Sequence, residues 1–290
     1  MPDESLVNLG DLSKPATALI KKVSDAVGGI FRPFQIVRVA KAEAEAERVR
    51  AEMRIEIIDL HRRAMYRFLE EEAKRQSNIE SITSQALPLL NGEATPEKVE
   101  NDWITNFFDK GRIVSDTDMQ RLWASVLAGE ANSPGTFAKR TVNLLGDLER
   151  RDAELLTSIC RFGWILDVFT PLIFDCNLDL YVRLGITFGS LRHLESLGLL
   201  SFESMGLVRK KLPRTIESRY FDKTLTLTFR KDEDNTLEVG QVMLSRAGYQ
   251  LALLCELAPV EGFFETVQDQ WAEMGLAPKR DSGPTSEASS

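Results

Sequence analysis

The sequence predicts a mainly α-helical protein that ends in a winged-helix-like α+β module, and three observations lead to this fold class. Residues 35–76 contain no glycine or proline and are rich in Ala, Glu, Arg and Lys, which favour helix. Apolar side chains recur at helical spacing through residues 92–170. Beyond residue 200, short stretches alternate apolar and polar residues as strands do. With 43% hydrophobic residues among 290, the chain can bury sizeable cores.

The first predicted element is an amphipathic helix within residues 1–34. Ser13 can cap it, and Gly28, Gly29 and Pro33 end its regular pattern. Its apolar face consists of Leu19, Ile20, Val23, Val27, Ile30 and Phe31. Such a face suits either a membrane interface or packing on the helical body, and the spacing alone favours packing only slightly.

A long helix and a shorter one are predicted over residues 35–91. At about 1.5 Å per residue, residues 35–76 form a helical rod roughly 60 Å long. Along it runs an apolar seam of Val49, Met53, Ile57, Leu60, Ala64 and Phe68. Because one apolar seam on so long a helix needs a covering surface, the sequence predicts contact with another copy, with a partner or with the rest of this chain.

A central helical domain is predicted over residues 92–170. A capping pair, Ser115 and Asp118, precedes a strongly amphipathic helix. Its apolar positions follow helical spacing: Met119, Leu122, Trp123, Val126 and Leu127.

Residues 171–262 predict a winged-helix-like domain. A short helix over 187–198 leads into a strand, and an alternating strand at 225–229 is followed by an acidic turn at 232–235, a further strand and a helix from Ser245. The acidic turn is therefore expected to be the tip of a hairpin. Residues 263–276 predict a short terminal helix, and residues 277–290 a disordered tail.

Neither catalysis nor cofactor binding is indicated by the sequence. Three cysteines and two histidines leave little material for a metal site or a disulfide framework. The chain contains no phosphate-binding glycine loop, nucleophile elbow or zinc-protease motif. We therefore expect a protein that is not an enzyme, with no catalytic residues, no metal, no cofactor and no small-molecule substrate.

The predicted location is cytoplasmic, with contact at the inner membrane surface left open through the amphipathic face. The first residues lack the pattern of a secretory signal, and no apolar run reaches the length needed to cross a bilayer. The widely spaced Cys160, Cys176 and Cys255 are expected to be reduced thiols of the core.

A basic segment within an acidic chain provides the alternative function. The whole chain carries a net charge of −8, yet residues 201–230 contain seven basic and three acidic side chains. A phosphate backbone could be contacted by Arg209, Lys210, Lys211, Arg214, Arg219 and Lys223. The helix over 187–198 lacks a set of side chains suited to reading bases, and winged helices also bind proteins.

Several runs together resemble a bacterial family of uncharacterised proteins, domain of unknown function 2806, over nearly the whole chain from Leu12 to Leu257. They include RRAMYRFLEEEAKRQSNIESIT and DWITNFFDKGRIVSDTDMQRLWASVLAGEANSPGTF. The most specific positions are Asp102, Trp103, Trp123, Gly129, Glu130, Pro134 and Gly135. The resemblance implies no catalytic residues, and a Trp on an apolar helix face or an acid at a helix end is more often structural.

The block LWASVLAGE…PGTF also looks like the central helical region of abortive-infection alpha-type proteins. That likeness implies a role in bacterial conflict with phage or mobile elements. Our leading hypothesis is a non-enzymatic interaction protein that self-associates or binds a protein partner through its long helix and touches membrane through its N-terminal helix. The alternative is a nucleic-acid-binding regulator that uses the winged-helix-like domain.

Overall fold

A computed structural model of the protein describes residues 12–28, residues 59–276 and the backbone of residues 279–280. The chain divides into two compact units, of which the first ends at Asp147 and the second begins at Leu148. The described part of unit 1 is helical, whereas unit 2 combines helices with two antiparallel sheets. The fold is therefore mixed α+β, and the prediction of a mainly α protein is wrong.

Unit 1 is built from five described helices: α1 (Lys14–Val27), α2 (Asp59–Ala86), α3 (Asn101–Gly111), α4 (Thr117–Asn132) and α5 (Lys139–Asp147). The Ser13 hydroxyl accepts the backbone N–H of Ala16 and caps α1, as its position in the sequence predicts. Helix α4 is capped by Asp116, which accepts the N–H groups of Asp118 and Met119, and not by the predicted pair one residue earlier.

The core of unit 1 lies between α2, α3 and α4. Its largest fully buried side chains are Ile82, Ile104, Phe107, Phe108 and Trp123. The ring of Phe107 stacks on Trp103 and meets Trp123 edge to face, with ring centroids 5.1 and 4.8 Å apart. The contact with Trp123 joins α3 to α4, because buried aromatic pairs add specific geometry to the apolar area that they remove from water.

The predicted rod is also wrong. Helix α2 continues without interruption past residue 76, where the rod was predicted to end and the shorter helix to follow, and its last turns are buried against α4. Residues 35–58 of the predicted rod lie outside the described residues.

Unit 2 contains two sheets. A five-stranded sheet has the order β2-β1-β4-β5-β7, and β3 pairs with β6 in a separate two-stranded sheet. The helices are α6 (Arg150–Cys160), α7 (Asp179–Val182), α8 (Phe188–Ser196), α9 (Arg246–Ala252) and α10 (Phe263–Glu273). The strands are β1 (Gly163–Leu166), β2 (Val168–Pro171), β3 (Leu200–Leu212), β4 (Thr215–Tyr220), β5 (Lys223–Thr228), β6 (Asn235–Leu244) and β7 (Lys279–Arg280).

The strand pairing overturns the predicted winged-helix module. The acidic turn after β5 joins two strands of different sheets, because β5 pairs with β4 and β7 while β6 pairs with β3. The expected hairpin is therefore absent from the described structure. Strand β7 lies inside residues 277–290, which were predicted to be disordered. The other residues of that segment are outside the described residues.

Candidate functional site

The N-terminal half of α2 is an exposed surface that carries several large apolar side chains. Four residues on one face of this half form what we call the α2 stripe: Leu60, Ala64, Met65 and Phe68. Leu60 is 61% exposed, and Met65 and Phe68 are each 57% exposed. Large apolar side chains grouped on one exposed face are uncommon in monomeric proteins and mark interaction sites.

The α2 stripe continues the face that α2 buries in the core. Because an α-helix has about 3.6 residues per turn, positions about 18 residues apart share the same direction. Leu60, Ala64, Met65 and Phe68 therefore point in the same directions as four buried residues of the same helix: Asn78, Ile82, Thr83 and Ala86. One face of α2 is thus suited to burial at both ends, and the described residues of unit 1 cover it only at the C-terminal end.

A cluster of charges separates the exposed and buried parts of this face. Arg75 forms ion pairs with Glu72 and with Glu71, whose carboxylate lies 3.7 Å from the guanidinium. One turn further on, the side chain of Asn78 donates to the carbonyl oxygen of Arg112 at 2.9 Å. Gln120 donates to Asn78 Oδ1 at 3.1 Å and accepts the Ser81 hydroxyl at 2.7 Å. This network fixes the point at which α2 enters the core.

The predicted N-terminal face packs inside unit 1. Leu19 and Val23 are fully buried, and α1 lies against α3 and the short 3-10 helix Pro96–Lys98. Ile20 and Val27 are half-buried, while Ile30 and Phe31 lie outside the described residues. Within residues 12–28 and 59–276, no helix is both long and apolar enough to cross a membrane.

The predicted seam of the long helix is only partly described. Leu60, Ala64 and Phe68 lie on the exposed half of α2, whereas Val49, Met53 and Ile57 lie outside the described residues.

The predicted nucleic-acid residues lie on strands of two different sheets, with Arg214 in the loop that joins β3 to β4. Arg209, Lys210 and Lys211 are on β3, and Arg219 and Lys223 are on β4 and β5 of the other sheet. Three of the six are neutralised by carboxylates at 2.9 to 3.2 Å: Arg209 by Asp167, Arg214 by Asp232 and Lys223 by Glu265.

Glu130 and Trp103, two of the positions singled out in the sequence, hold a loop of unit 1 in place. Glu130 on α4 is 3% exposed, and its carboxylate accepts the backbone N–H groups of Gly135 and Phe137 at 2.6 and 2.8 Å. The indole N–H of Trp103 donates to the carbonyl oxygen of Phe137 at 2.7 Å. A buried carboxylate that accepts two backbone N–H groups needs no catalytic role to account for it.

Two glycines and a proline complete this loop. A Cβ at Gly129 would lie 2.7 Å from the ring of Phe137, so a larger residue there would displace the ring. Gly135 follows Pro134 and has a φ of 93°, in the left-handed region that favours glycine. Asp102 is exposed and lies 3.9 Å from Lys139, which is a weak surface ion pair.

One pair of polar side chains could not be predicted from sequence patterns because its two residues are far apart in the chain. Asp152 on α6 is 7% exposed, and its carboxylate lies 2.7 Å from Nε2 of His193 on α8. The other carboxylate oxygen accepts the backbone N–H of Glu149 and closes a capping box at the start of α6. The capping spacing in the sequence could have identified Asp152, but nothing in the sequence links it to His193.

The described residues include two shallow cavities that can be compared with the requirements of an active site. The first, of about 380 Å³, is lined by Lys22, Val99, Glu100, Asn101 and Asp102. The second, of about 360 Å³, is lined by Arg161, Leu180, Arg183, Leu184, Val260 and Glu261. Neither places a nucleophile beside a base, and among the described residues no cluster of three or more His, Cys, Asp or Glu side chains could hold a metal ion.

Comparison with known proteins gives one match. The model of a family described as protein of unknown function (DUF2806) matches residues 62–268. No curated protein and no solved structure is significantly similar to the chain. The likeness to abortive-infection alpha-type proteins is therefore without support, and so is the anti-phage role that it implied.

Proposed function

The chain belongs to the family described as proteins of unknown function, DUF2806, and we propose that it acts by binding a second copy of itself through α2 rather than by catalysing a reaction. One observation carries this proposal. The side chains of the exposed α2 stripe point in the same directions as the buried side chains five turns later on the helix. The stripe therefore has the pattern of a packing face, but no described residue of the chain covers it.

Charge along the exposed half of α2 favours a second copy as the occupant. Arg62, Arg63 and Arg67 are followed by three consecutive acids at residues 70–72. If two copies pair antiparallel about a two-fold axis, the basic turns of each helix face the acidic turn of the other, and the contact occurs twice. A parallel pair would bring like charges together. We therefore infer an antiparallel pair of α2 helices.

The two other predicted functions have less support. A membrane interface would require Leu19 and Val23, which are fully buried in unit 1. Nucleic-acid binding would require a concentrated basic surface, but half of the predicted residues already pair with carboxylates, and five of the six are divided between two sheets.

Sedimentation velocity over a wide concentration range tests the proposal. We expect the wild-type chain to form a dimer that dissociates on dilution. Leu60→Glu combined with Phe68→Glu should give a monomer at all concentrations, because two carboxylates would have to be buried without partners in the pair. The far-UV circular dichroism of the variant should remain that of the wild type, since both side chains are exposed in unit 1.

The chain supplies a matched control in Tyr66. This side chain is 64% exposed and lies on the same turns, about 160° around the helix from Ala64 and Phe68. Tyr66→Glu should therefore leave the dimer intact. A wild-type chain that remains a monomer, or a double variant that dimerises as well as the wild type, would overturn the proposal.

A charge-swapped chain tests the orientation. It carries Arg62→Glu, Arg63→Glu, Glu70→Arg and Glu71→Arg, which preserve complementarity within an antiparallel pair of swapped chains. Such chains should self-associate but should not form mixed dimers with the wild type, because like charges then face each other. If mixed dimers form in preference to the two homodimers, the helices pair in parallel.

A further inference from the structure

Two of the three cysteines lie together although they are distant in the sequence. Cys160 is the last residue of α6 and is fully buried. Cys255 follows α9 and is only half-buried, so solvent can reach it. All three cysteines are free thiols, and the third, Cys176, is buried elsewhere in unit 2.

The Cys255 thiol lies beside the last turn of α6, because its sulfur is 3.5 Å from the hydroxyl of Thr157, three residues before Cys160 on that helix. The interaction with Cys160 lowers the pKa of Cys255, while burial acts in the opposite direction and the bond from Thr157 assists the lowering. The same interaction, with burial, raises the pKa of Cys160. Cys255 Sγ also lies 3.6 Å from the carbonyl oxygen of Leu251.

The segment that carries Cys255 is tied to the end of α6 at further points. The Arg161 side chain donates to the carbonyl oxygen of Ala258 at 3.2 Å. The Tyr220 hydroxyl accepts the N–H of Val260 at 2.7 Å and donates to the carbonyl oxygen of Arg161 at 2.9 Å. These bonds hold the chain on which Cys255 lies beside the helix that ends in Cys160.

We propose that Cys160 and Cys255 form a dithiol site that a peroxide converts into an intrachain disulfide. Cys255 is half-buried, and Cys160 is buried on the helix that Cys255 contacts through Thr157, which suits an attacking and a resolving thiol. The thiolate, not the thiol, is the nucleophile, so the cysteine that is more readily deprotonated reacts first. This role falls to Cys255.

The reaction balances in two steps. The Cys255 thiolate attacks one oxygen of hydrogen peroxide, the O–O bond breaks, and sulfenic acid and hydroxide form. The Cys160 sulfur then attacks the Cys255 sulfur, and the S–O bond breaks. The thiol proton of Cys160 joins the departing hydroxide to form water. Overall, two thiols and one peroxide give one disulfide and two water molecules, with the sulfurs oxidised by two electrons and the peroxide reduced by two.

Thiol counting and peptide mapping of the full wild-type chain test this site. The reduced protein is treated with hydrogen peroxide, and the remaining thiols are blocked with N-ethylmaleimide. We expect the free thiols to fall from three per chain to one, and a non-reducing peptide map to contain a Cys160–Cys255 cross-link. Dithiothreitol should restore all three.

Single variants separate the roles of the three cysteines. Cys176→Ser should form the same cross-link, and Cys160→Ser should stop at a sulfenic acid on Cys255 that dimedone traps. Alkylation of Cys255 should also begin at lower pH than alkylation of Cys176, because burial raises the pKa of Cys176.

Three results would overturn the proposal. Three free thiols could persist at peroxide concentrations that oxidise a cysteine-containing peptide, the cross-link could involve Cys176, or it could join two chains instead of two residues of one chain. Each of these results is read from the wild-type protein and does not depend on the folding of any variant.

Discussion

The two halves of α2 carry the same apolar face in opposite environments. In the C-terminal half, Ile82 and Ala86 are fully buried, whereas Ala64 and Phe68, five turns earlier, are exposed. Helical spacing shows that a face is suited to burial, but it does not show what covers that face. The difference between the halves comes from the tertiary structure, because α4 runs beside one half only among the described residues.

The largest difference between the halves is expected for truncation of a core side chain. Ile82→Ala should lower the free energy of unfolding by about 2–5 kcal/mol, because it removes buried methyl groups and leaves a cavity between α2 and α4. Chemical denaturation at a protein concentration at which the chain is monomeric measures this loss. Phe68→Ala in the exposed half should change the same quantity by about 0.5 kcal/mol or less.

These two variants also test whether the α2 stripe is uncovered in the monomer. A loss for Phe68→Ala as large as that for Ile82→Ala in the monomer would show that a part of this chain covers the α2 stripe in solution. The stripe would then not be a surface for a second copy.

A smaller effect is expected where α2 enters the core. Gln120→Ala removes the donor to Asn78 Oδ1 and to the carbonyl oxygen of Val114, and the acceptor of the Ser81 hydroxyl. Because Asn78 is also buried, the loss should be about 1–3 kcal/mol by denaturation. Gln85→Ala, which removes a single bond to Ser81 from a half-buried position, should cost less than Gln120→Ala.

An equal loss for Gln120→Ala and Gln85→Ala would contradict this order. The network would then contribute no more than an ordinary surface bond, and the boundary between the two halves of α2 would be set by apolar packing alone.

Local signals in the sequence were sufficient for the apolar faces of α1 and α4 in unit 1. The Ser13 cap, the apolar positions of α1 and those of α4 all follow from the spacing of a few residues. The spacing left open whether the α1 face meets a membrane or packs internally, and in the structure Leu19 and Val23 are buried. The break predicted near residue 77 was wrong because the polar residues there, Asn78 and Ser81, are satisfied by Gln120 of another helix. A polar residue that finds its partner by tertiary contact cannot be distinguished in sequence from one that marks a helix end.

The sheets of unit 2 could not be predicted in the same way because their pairing is nonlocal. Strand β4 has only two buried side chains, Ser218 and Tyr220, and so shows almost no apolar alternation. It is joined to β5 by a two-residue turn with Phe221 at a φ of 53°, where a glycine or asparagine would have revealed a hairpin. Without β4, the alternating β5 could only be paired with β6, its next neighbour in the sequence.

The candidate site was predicted in part. Leu60, Ala64 and Phe68 were identified from spacing, but Met65 was not, since it lies at the margin of the face. The paired thiols at Cys160 and Cys255 were recognised only as separate core residues. Their proximity depends on the packing of α6 against α9, which no local pattern encodes.

The smallest effect is expected for the ion pairs on the exposed half of α2. Arg67 lies 3.4 Å from Glu71 one turn later, and the two side chains are 77% and 49% exposed. A double-mutant cycle with Arg67→Ala and Glu71→Ala should give a coupling of about 0.3–0.5 kcal/mol in the monomer, which high salt removes because exposed charges are screened. In the antiparallel dimer the two residues also face charges of the other helix, so the coupling measured at dimer concentrations should be larger. Equal coupling at both concentrations would mean that these charges do not contribute to the contact between copies, and the inferred orientation would lose its electrostatic basis.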